Sequence, residues 1–180
     1  MRVRKSIAIF LSELHIIILC GVLAGAFTYE FMKHELPCPL CFLQRMGMIA
    51  MAIGPMYNLL FGFRSSHFAF GIGASVFSAS VSIRQILLHI CLGFPTYGLP
   101  VWGFELYTWA FIVAVCSLLG NMLLLFMYDP SEGYCKPEKL RPLGYIAIGV
   151  LVFLTVANMC ASFLECGLTF CPDDPTKYVY

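Results

Sequence analysis

The sequence predicts an all-α integral membrane protein, an antiparallel helical bundle with about five transmembrane helices. Composition gives the first reason: of 180 residues, 60% are hydrophobic and 12% are charged, with a mean hydropathy of +0.84. A soluble domain of this size would expose too much apolar surface. The second reason is a series of apolar runs that can each cross a hydrocarbon core about 30 Å thick, which takes about 20 helical residues. The alternation typical of a membrane barrel is missing from the sequence, so helices are expected.

The apolar runs predict the boundaries of the helices within a single membrane domain, 1–180. The predicted spans are about 7–31, 42–63, 68–92, 104–128 and 143–164. Their connections are short, so consecutive helices should be antiparallel neighbours. The first run is too long for the apolar part of a cleaved signal peptide, although "MRVRK" resembles the charged start of one. We therefore expect this run to remain as a membrane anchor.

Positive charges predict the orientation of the bundle. Basic residues precede the first helix and occupy the second–third and fourth–fifth connections: Arg2, Arg4, Lys5, Arg64, Lys136, Lys139 and Arg141. With five helices these regions share one side, which the positive-inside rule makes cytoplasmic. The N-terminus is then cytoplasmic, while the loop 32–41 and the tail 165–180 lie on the outer side. No basic stripe suggests binding of nucleic acid.

Two closely spaced cysteine pairs fall on the predicted outer side, where disulfides form and persist. Cys38 and Cys41 lie in the first outer loop, and Cys166 and Cys171 lie in the tail. A fifth cysteine, Cys91, lies at the outer end of the third helix. No role is predicted for the remaining cysteines, which are Cys20, Cys116, Cys135 and Cys160.

The stretch "PCPLCFLQR", residues 37–45, predicts a redox centre at the start of the second helix. A Cys-x-x-C pair undergoes thiol–disulfide exchange when one sulfur is held as a thiolate. Cys41 would lie near the helix N-terminus, which favours an anion, and Arg45 lies one turn further on. The alternatives are a structural disulfide, although so small a loop gains little stability from closure, and a zinc site shared by both pairs. We predict no metal site.

The cysteine pair in the tail suggests that electrons pass from a soluble partner through two cysteine pairs in turn. The polar segment "ECGLTFCPDDP" would let Cys166 and Cys171 meet a soluble partner and the membrane-edge pair in turn. Electrons then need an acceptor in the lipid, and a membrane quinone fits that position. The alternative is that Cys166 and Cys171 form a small structural loop.

Further residues have two interpretations each. Arg84 and His89 in the third helix, with Gln85, are expected to line a quinone pocket, because ionisable groups at that depth usually have a role. Alternatively, Arg84 pairs with Glu13 or Glu30 and His89 is an interfacial histidine. The aromatic residues Trp102, Tyr107 and Trp109 form an interfacial belt or border a cofactor cleft.

These motifs resemble the disulfide bond formation protein B (DsbB) family. "CPLCFLQR" is similar to the family's Cys-x-x-C with an arginine at the start of the second membrane helix. The resemblance also takes in the third-helix arginine and the "YGLPVWGFELYTWA" segment, over about the first 125 residues. It implies a bacterial inner-membrane bundle that reoxidises a periplasmic, DsbA-like thiol oxidase and passes the electrons to ubiquinone or menaquinone.

The resemblance implies that Cys38 and Cys41 are the quinone-linked pair and that Arg45 assists the quinone and the thiolate. Together with the residues argued above, the predicted catalytic residues are Cys38, Cys41, Cys166 and Cys171, and the predicted cofactor-binding residues are Gln44, Arg45, Arg84 and His89. The chain departs from the family pattern because its second pair follows a fifth helix, whereas the family pattern has it between the third and fourth helices. Cys91 is a rival partner for either tail cysteine. The alternative functions are a membrane scaffold with structural disulfides and a quinone reductase similar to vitamin K epoxide reductase.

Overall fold

A computed structural model describes residues 2–33, 38–90, 100–128 and 140–168. Within these ranges the chain forms five α-helices: α1 (Arg2–Lys33), α2 (Pro39–Phe61), α3 (Ser65–His89), α4 (Leu106–Met127) and α5 (Pro142–Cys166). The all-helical bundle predicted from the sequence is confirmed, and the helix ends lie within a few residues of the predicted spans. The α5 helix packs on α1 and α2, so it adds to a core formed by α1–α4.

Four helices are long and apolar enough to cross a membrane, and the described part of α2 is the exception. The four are α1 (over Ser6–Met32), α3, α4 and α5. The α2 helix contacts all four of the others and is therefore the inner helix of the bundle. It buries Gln44, Arg45 and Asn58 against its neighbours, and these polar side chains lower its hydropathy. The hydropathy of α2 is therefore below that of the four candidate membrane spans because α2 is the central helix and buries polar side chains.

Small residues bring α2 and α3 close together. A Cβ atom added to Gly47 would lie 2.8 Å from the Ser78 side chain, and one added to Gly54 would lie 2.8 Å from the His67 carbonyl oxygen. Small residues at such contacts let two membrane helices approach closely, where packing and hydrogen bonds hold them. This close approach sets the register that aligns the C-terminal end of α3 with the start of α2.

Opposite ends of the bundle carry different chemistry. Where α1 and α5 begin, Arg141 donates a hydrogen bond to the Ser6 hydroxyl at 3.1 Å and lies 3.9 Å from Glu13. Phe63 and Phe68 stack at this same end, beside the α2–α3 connection. The other end gathers the start of α2, the end of α3 and the start of α4. The Cys-x-x-C pair lies at this second end.

Candidate redox site

The local sequence at the start of α2 determines how the two thiols are arranged. Cys38 is the N-cap residue, and Pro39 follows it in the first turn, where a missing N–H costs nothing. The Cys41 backbone N–H donates to the Cys38 sulfur at 3.2 Å. Both residues are free thiols, with Cys38 buried and Cys41 half-buried. Hydrogen bonding to the Cys41 side chain, together with burial, raises the pKa of the Cys38 thiol.

A pair of buried glutamines holds the two sulfur atoms. Gln44 donates from Nε2 to Oε1 of Gln85 at 2.8 Å, which fixes the orientation of the Gln85 amide. Nε2 of Gln85 then points at the thiols and donates to Cys38 at 3.4 Å and to Cys41 at 3.7 Å. Hydrogen bonds to a sulfur favour its anionic form. The arrangement therefore stabilises a thiolate at this pair.

Arg45 lies inside the bundle, one turn below Cys41, in a buried ion pair. Its Nη1 is 2.6 Å from Oε2 of Glu30, and its Nη2 donates to the Ala26 carbonyl oxygen at 3.4 Å. The guanidinium also lies 4.7 Å from the centre of the Phe27 ring. These contacts on α1 fix the position of the cation. The sequence offers Glu30 as one candidate partner for Arg84, whereas the structure pairs Glu30 with Arg45.

A cavity of about 540 Å³ opens beside the pair. Its polar lining is clustered, since hydrogen bonds and the ion pair join those side chains: Glu30, Cys41, Gln44, Arg45 and Gln85. The remaining lining is mostly apolar or aromatic: Gly21, Val22, Gly25, Ala26, Tyr29, Met48, Val101, Trp102, Leu106, Tyr107, Trp109, Ala110 and Val113. A Cβ atom added at Gly21 or Gly25 would meet no atom within 4 Å. The cavity suits an apolar ring system that presents polar oxygens to the Cys41 end.

A tight turn before α4 contributes the aromatic wall of the cavity. Val101 and Phe104 pair across the turn, and Trp102 has a φ of 52°, in the left-handed region that non-glycine residues rarely adopt. The Trp109 indole N–H donates to the Val101 carbonyl oxygen at 2.9 Å and holds the turn against α4. The tryptophans and Tyr107 thus border the cavity, which was one of their two interpretations.

Two residues predicted to bind a cofactor lie away from the cavity lining. The Arg84 side chain is exposed on α3. His89 donates from Nδ1 to the Gln85 carbonyl oxygen at 2.8 Å and stacks on Tyr107, with ring centres 5.3 Å apart. His89 therefore supports a residue of the cavity wall, while Gln44 and Arg45 line the cavity themselves.

The second predicted cysteine pair is described only in part. Cys166 ends α5, is buried, and is disulfide-bonded in the structure. Cys171, Cys91 and Cys135 lie outside the described residues. Cys20, Cys38, Cys41, Cys116 and Cys160 are free. Burial of Cys166 differs from the expectation of an accessible tail, because the helix continues through this residue and packs it against the core.

Glu165, which precedes Cys166, is a buried residue for which the sequence predicts no role. This side chain is buried, and both of its carboxyl oxygens lack a hydrogen-bond partner within the described part of the chain. The available signal was a carboxylate at the end of an apolar helix, next to a cysteine. Glu30 and Gln85 were noticed in the sequence, but their partners depend on how the helices pack.

Comparison with known proteins gives a family match. The family model described as disulfide bond formation protein DsbB matches residues 9–94, which contain the Cys-x-x-C pair, Arg45 and Gln85. The matched segment ends before α4, so Cys166 and Cys171 lie beyond it. No curated protein and no solved structure matches the chain significantly.

Proposed function

We propose that the protein is a membrane thiol:quinone oxidoreductase, from the premise that the match of residues 9–94 to the DsbB family model reflects membership of that family. In this function it reoxidises a periplasmic, DsbA-like thioredoxin-fold oxidase and passes the electrons to a membrane quinone, ubiquinone or menaquinone. The observation that carries the proposal is the position of Cys41 in the wall of a cavity that Arg45 and Gln44 also line.

The cavity fits a quinone in size and chemistry. Its volume of about 540 Å³ falls within the range of roughly 300–1,000 Å³ common for small-molecule sites. The guanidinium of Arg45 and the amide of Gln44 are hydrogen-bond donors for carbonyl oxygens. The open space beside Gly21 and Gly25 leaves room for a ring. When bound, a quinone would accept an electron pair and two protons.

The two cysteines would divide the chemistry between them. Cys41 faces the cavity and sits in the first turn of α2, where backbone N–H groups favour a thiolate. Cys38 is buried beneath the Gln85 amide, and its raised pKa keeps its proton on the sulfur. Closing the disulfide then requires the Cys38 proton to leave. The amide of Gln85 can remain hydrogen-bonded to both sulfurs while the disulfide forms.

The link to the soluble partner would run through Cys166 and Cys171. A thiolate of the reduced partner attacks the disulfide of this pair, the mixed disulfide resolves, and the resulting dithiol exchanges with Cys38–Cys41. The basic residues at the Arg141 end support a cytoplasmic position for that end, which puts both pairs on the periplasmic side of a bacterial inner membrane. The disulfide at Cys166 is consistent with the resting oxidised form of such a relay.

Turnover by purified protein tests this function. The protein in detergent, with a quinone and a reduced thioredoxin-fold oxidase, should oxidise that oxidase catalytically. Cys166→Ala should abolish oxidation of the partner while reduced Cys38–Cys41 still reduces quinone. Full turnover by Cys166→Ala would make the tail structural, and turnover in a quinone-free preparation would exclude the proposed acceptor.

A further inference from the structure

The turn before α4 holds a tryptophan where the backbone favours a different residue. Val101 and Phe104 exchange two backbone hydrogen bonds, of 2.8 Å and 3.1 Å, across the two residues between them. Those two residues, Trp102 and Gly103, have φ values of 52° and 83°. Positive φ at both central positions is the pattern of a type I′ turn, in which asparagine or aspartate before glycine is favoured. Trp102 therefore occupies its position at a cost in backbone energy.

Burial of the Trp102 side chain does not offset this cost. Trp102 is 88% exposed, and its ring meets the Trp109 ring edge-on with the centres 6.2 Å apart. Other groups hold the turn, since the Trp109 indole N–H donates to the Val101 carbonyl oxygen and the Phe104 ring packs on the same indole. Strained residues that packing does not explain are typical of ligand sites. The feature to be explained is therefore the indole at position 102.

Trp102 lies at the mouth of the cavity beside the thiols. It lines this cavity together with Gln44 and Arg45, and these two polar side chains are buried whereas Trp102 is exposed. The cavity thus has hydrogen-bond donors at its buried end and an indole at its open edge. A quinone ring is flat, apolar and electron-poor, so the electron-rich face of an indole is a favourable surface for it.

We propose that Trp102 is a quinone-binding residue, which the type I′ turn holds at the mouth of the cavity to cover the ring of the bound acceptor. The inference deepens the proposed thiol:quinone activity and rests on it for the identity of the ligand. It gives the turn before α4 a part in acceptor binding that requires an aromatic side chain at position 102. The competing interpretation is an interfacial aromatic residue that a quinone does not contact.

The stability of the quinone-free protein tests whether the indole serves the fold instead. Trp102→Asn places the favoured residue of a type I′ turn at this position and removes the ring. The full-length variant should therefore fold and resist unfolding in mixed micelles at least as well as the wild-type protein. A less stable Trp102→Asn protein would show that the indole supports the fold and would contradict the inference.

A fluorescence titration measures quinone binding without turnover. The chain has two tryptophans, so Trp109, which also lines the cavity, is the only one left in Trp102→Asn and in Trp102→Phe. Quenching of its emission by a short-chain benzoquinone, with the protein kept oxidised, gives the Kd of both variants. Trp102→Asn should bind the quinone about tenfold more weakly than Trp102→Phe, which keeps an aromatic ring. Equal Kd values in the two variants would overturn the inference.

Phe104→Leu is the matched control for the titration. Phe104 is an exposed aromatic residue of the same turn, and it does not line the cavity. A role at the membrane interface would therefore affect Phe104 and Trp102 alike. The Kd of Phe104→Leu should equal that of the wild-type protein. A loss of affinity in Phe104→Leu as large as that in Trp102→Asn would assign the effect to the interface and contradict the proposal.

Kinetics separate this inference from the proposed function. Trp102→Asn should raise the KM for quinone about tenfold and leave kcat at saturating quinone near the wild-type value, because the thiols and Arg45 are unchanged. A wild-type KM in Trp102→Asn would refute the role of Trp102 and leave the oxidoreductase intact. A wild-type protein that reduces no quinone would refute the function, while the titration of oxidised protein would still decide whether Trp102 binds the quinone ring.

Discussion

Gln85 donates a hydrogen bond from Nε2 to the sulfur of Cys38, 3.4 Å away, and thereby joins the C-terminal end of α3 to the start of α2. The same nitrogen reaches the Cys41 sulfur at 3.7 Å, and Gln44 orients the amide from its other side. Both sulfurs therefore have a side-chain hydrogen-bond donor in addition to the electrostatic effect of the α2 N-terminus. A neutral amide that donates to both sulfurs stabilises the thiolate while it leaves the charge of the site unchanged.

Gln85→Leu should reduce the reactivity of the thiol pair. The substitution removes the donor to both sulfurs and leaves the Gln44 amide without its acceptor. Hydrogen bonds to charged groups contribute about 1.5–3 kcal/mol, so we expect roughly a 10- to 100-fold slower alkylation of Cys41 at neutral pH. Ser82→Ala, a buried change on the same face of α3, is the control. Equal alkylation rates in the two variants would show that Gln85 does not support the thiolate.

The ion pair between Arg45 and Glu30 should behave as a buried pair whose loss is costly. Arg45→Met removes the cation of this buried ion pair with Glu30, and the loss of one partner of a buried pair typically costs about 3–5 kcal/mol. Adding Glu30→Leu should recover much of this stability. Unfolding in mixed micelles measures the effect, with Arg84→Met as an exposed-arginine control expected within about 0.5 kcal/mol of wild type. An Arg45→Met protein as stable as the control would contradict a buried ion pair.

The hydropathy of the sequence predicted the helical bundle because apolar runs of spanning length leave few other folds. The Cys-x-x-C motif predicted that the thiols lie at the start of α2. It also predicted that Arg45 lies near Cys41, because two residues four positions apart on one helix are neighbours. The pairing of Arg45 with Glu30 was not predictable in this way, because it depends on the register between two helices. Likewise, the periodicity of α3 did not distinguish Gln85, which reaches the sulfurs, from Arg84, which faces outward.

Filling the cavity should separate quinone binding from thiol chemistry. Gly25 lines the cavity, and a side chain there meets no atom within 4 Å, so Gly25→Leu should fold and occupy the space. We expect the KM for quinone to rise at least about tenfold, since a well-placed apolar group displaces the ring. Alkylation of Cys41 should continue, because the thiol network stays intact.

Gly73→Leu is the matched control for this test. Gly73 is an exposed helical glycine on α3 with open space around it, and it does not line the cavity. Its KM for quinone should equal that of the wild-type protein. If Gly25→Leu also leaves this KM unchanged, the quinone does not bind in this cavity.

The raised pKa of Cys38 predicts how the pair responds to pH. A thiol with a raised pKa forms its thiolate only at more alkaline pH, so Cys38 should resist iodoacetamide at neutral pH while Cys41 is modified. In Cys41→Ser the neighbouring sulfur anion is gone, and the onset of Cys38 alkylation should move to lower pH. Mass spectrometry of the modified peptides measures both. Preferential alkylation of Cys38 in the wild-type protein at neutral pH would reverse the assigned roles.

The most direct measurement is a single anaerobic turnover of the isolated chain with quinone. In a Cys166→Ala background, reduced protein mixed with excess quinone should form quinol in an amount equimolar to the chain, as Cys38 and Cys41 become a disulfide. Adding Cys116→Ser, which removes an exposed thiol on α4, should change nothing, and adding Cys41→Ser should abolish quinol formation. If the Cys41→Ser protein still forms an equimolar amount of quinol, this pair does not deliver electrons to quinone.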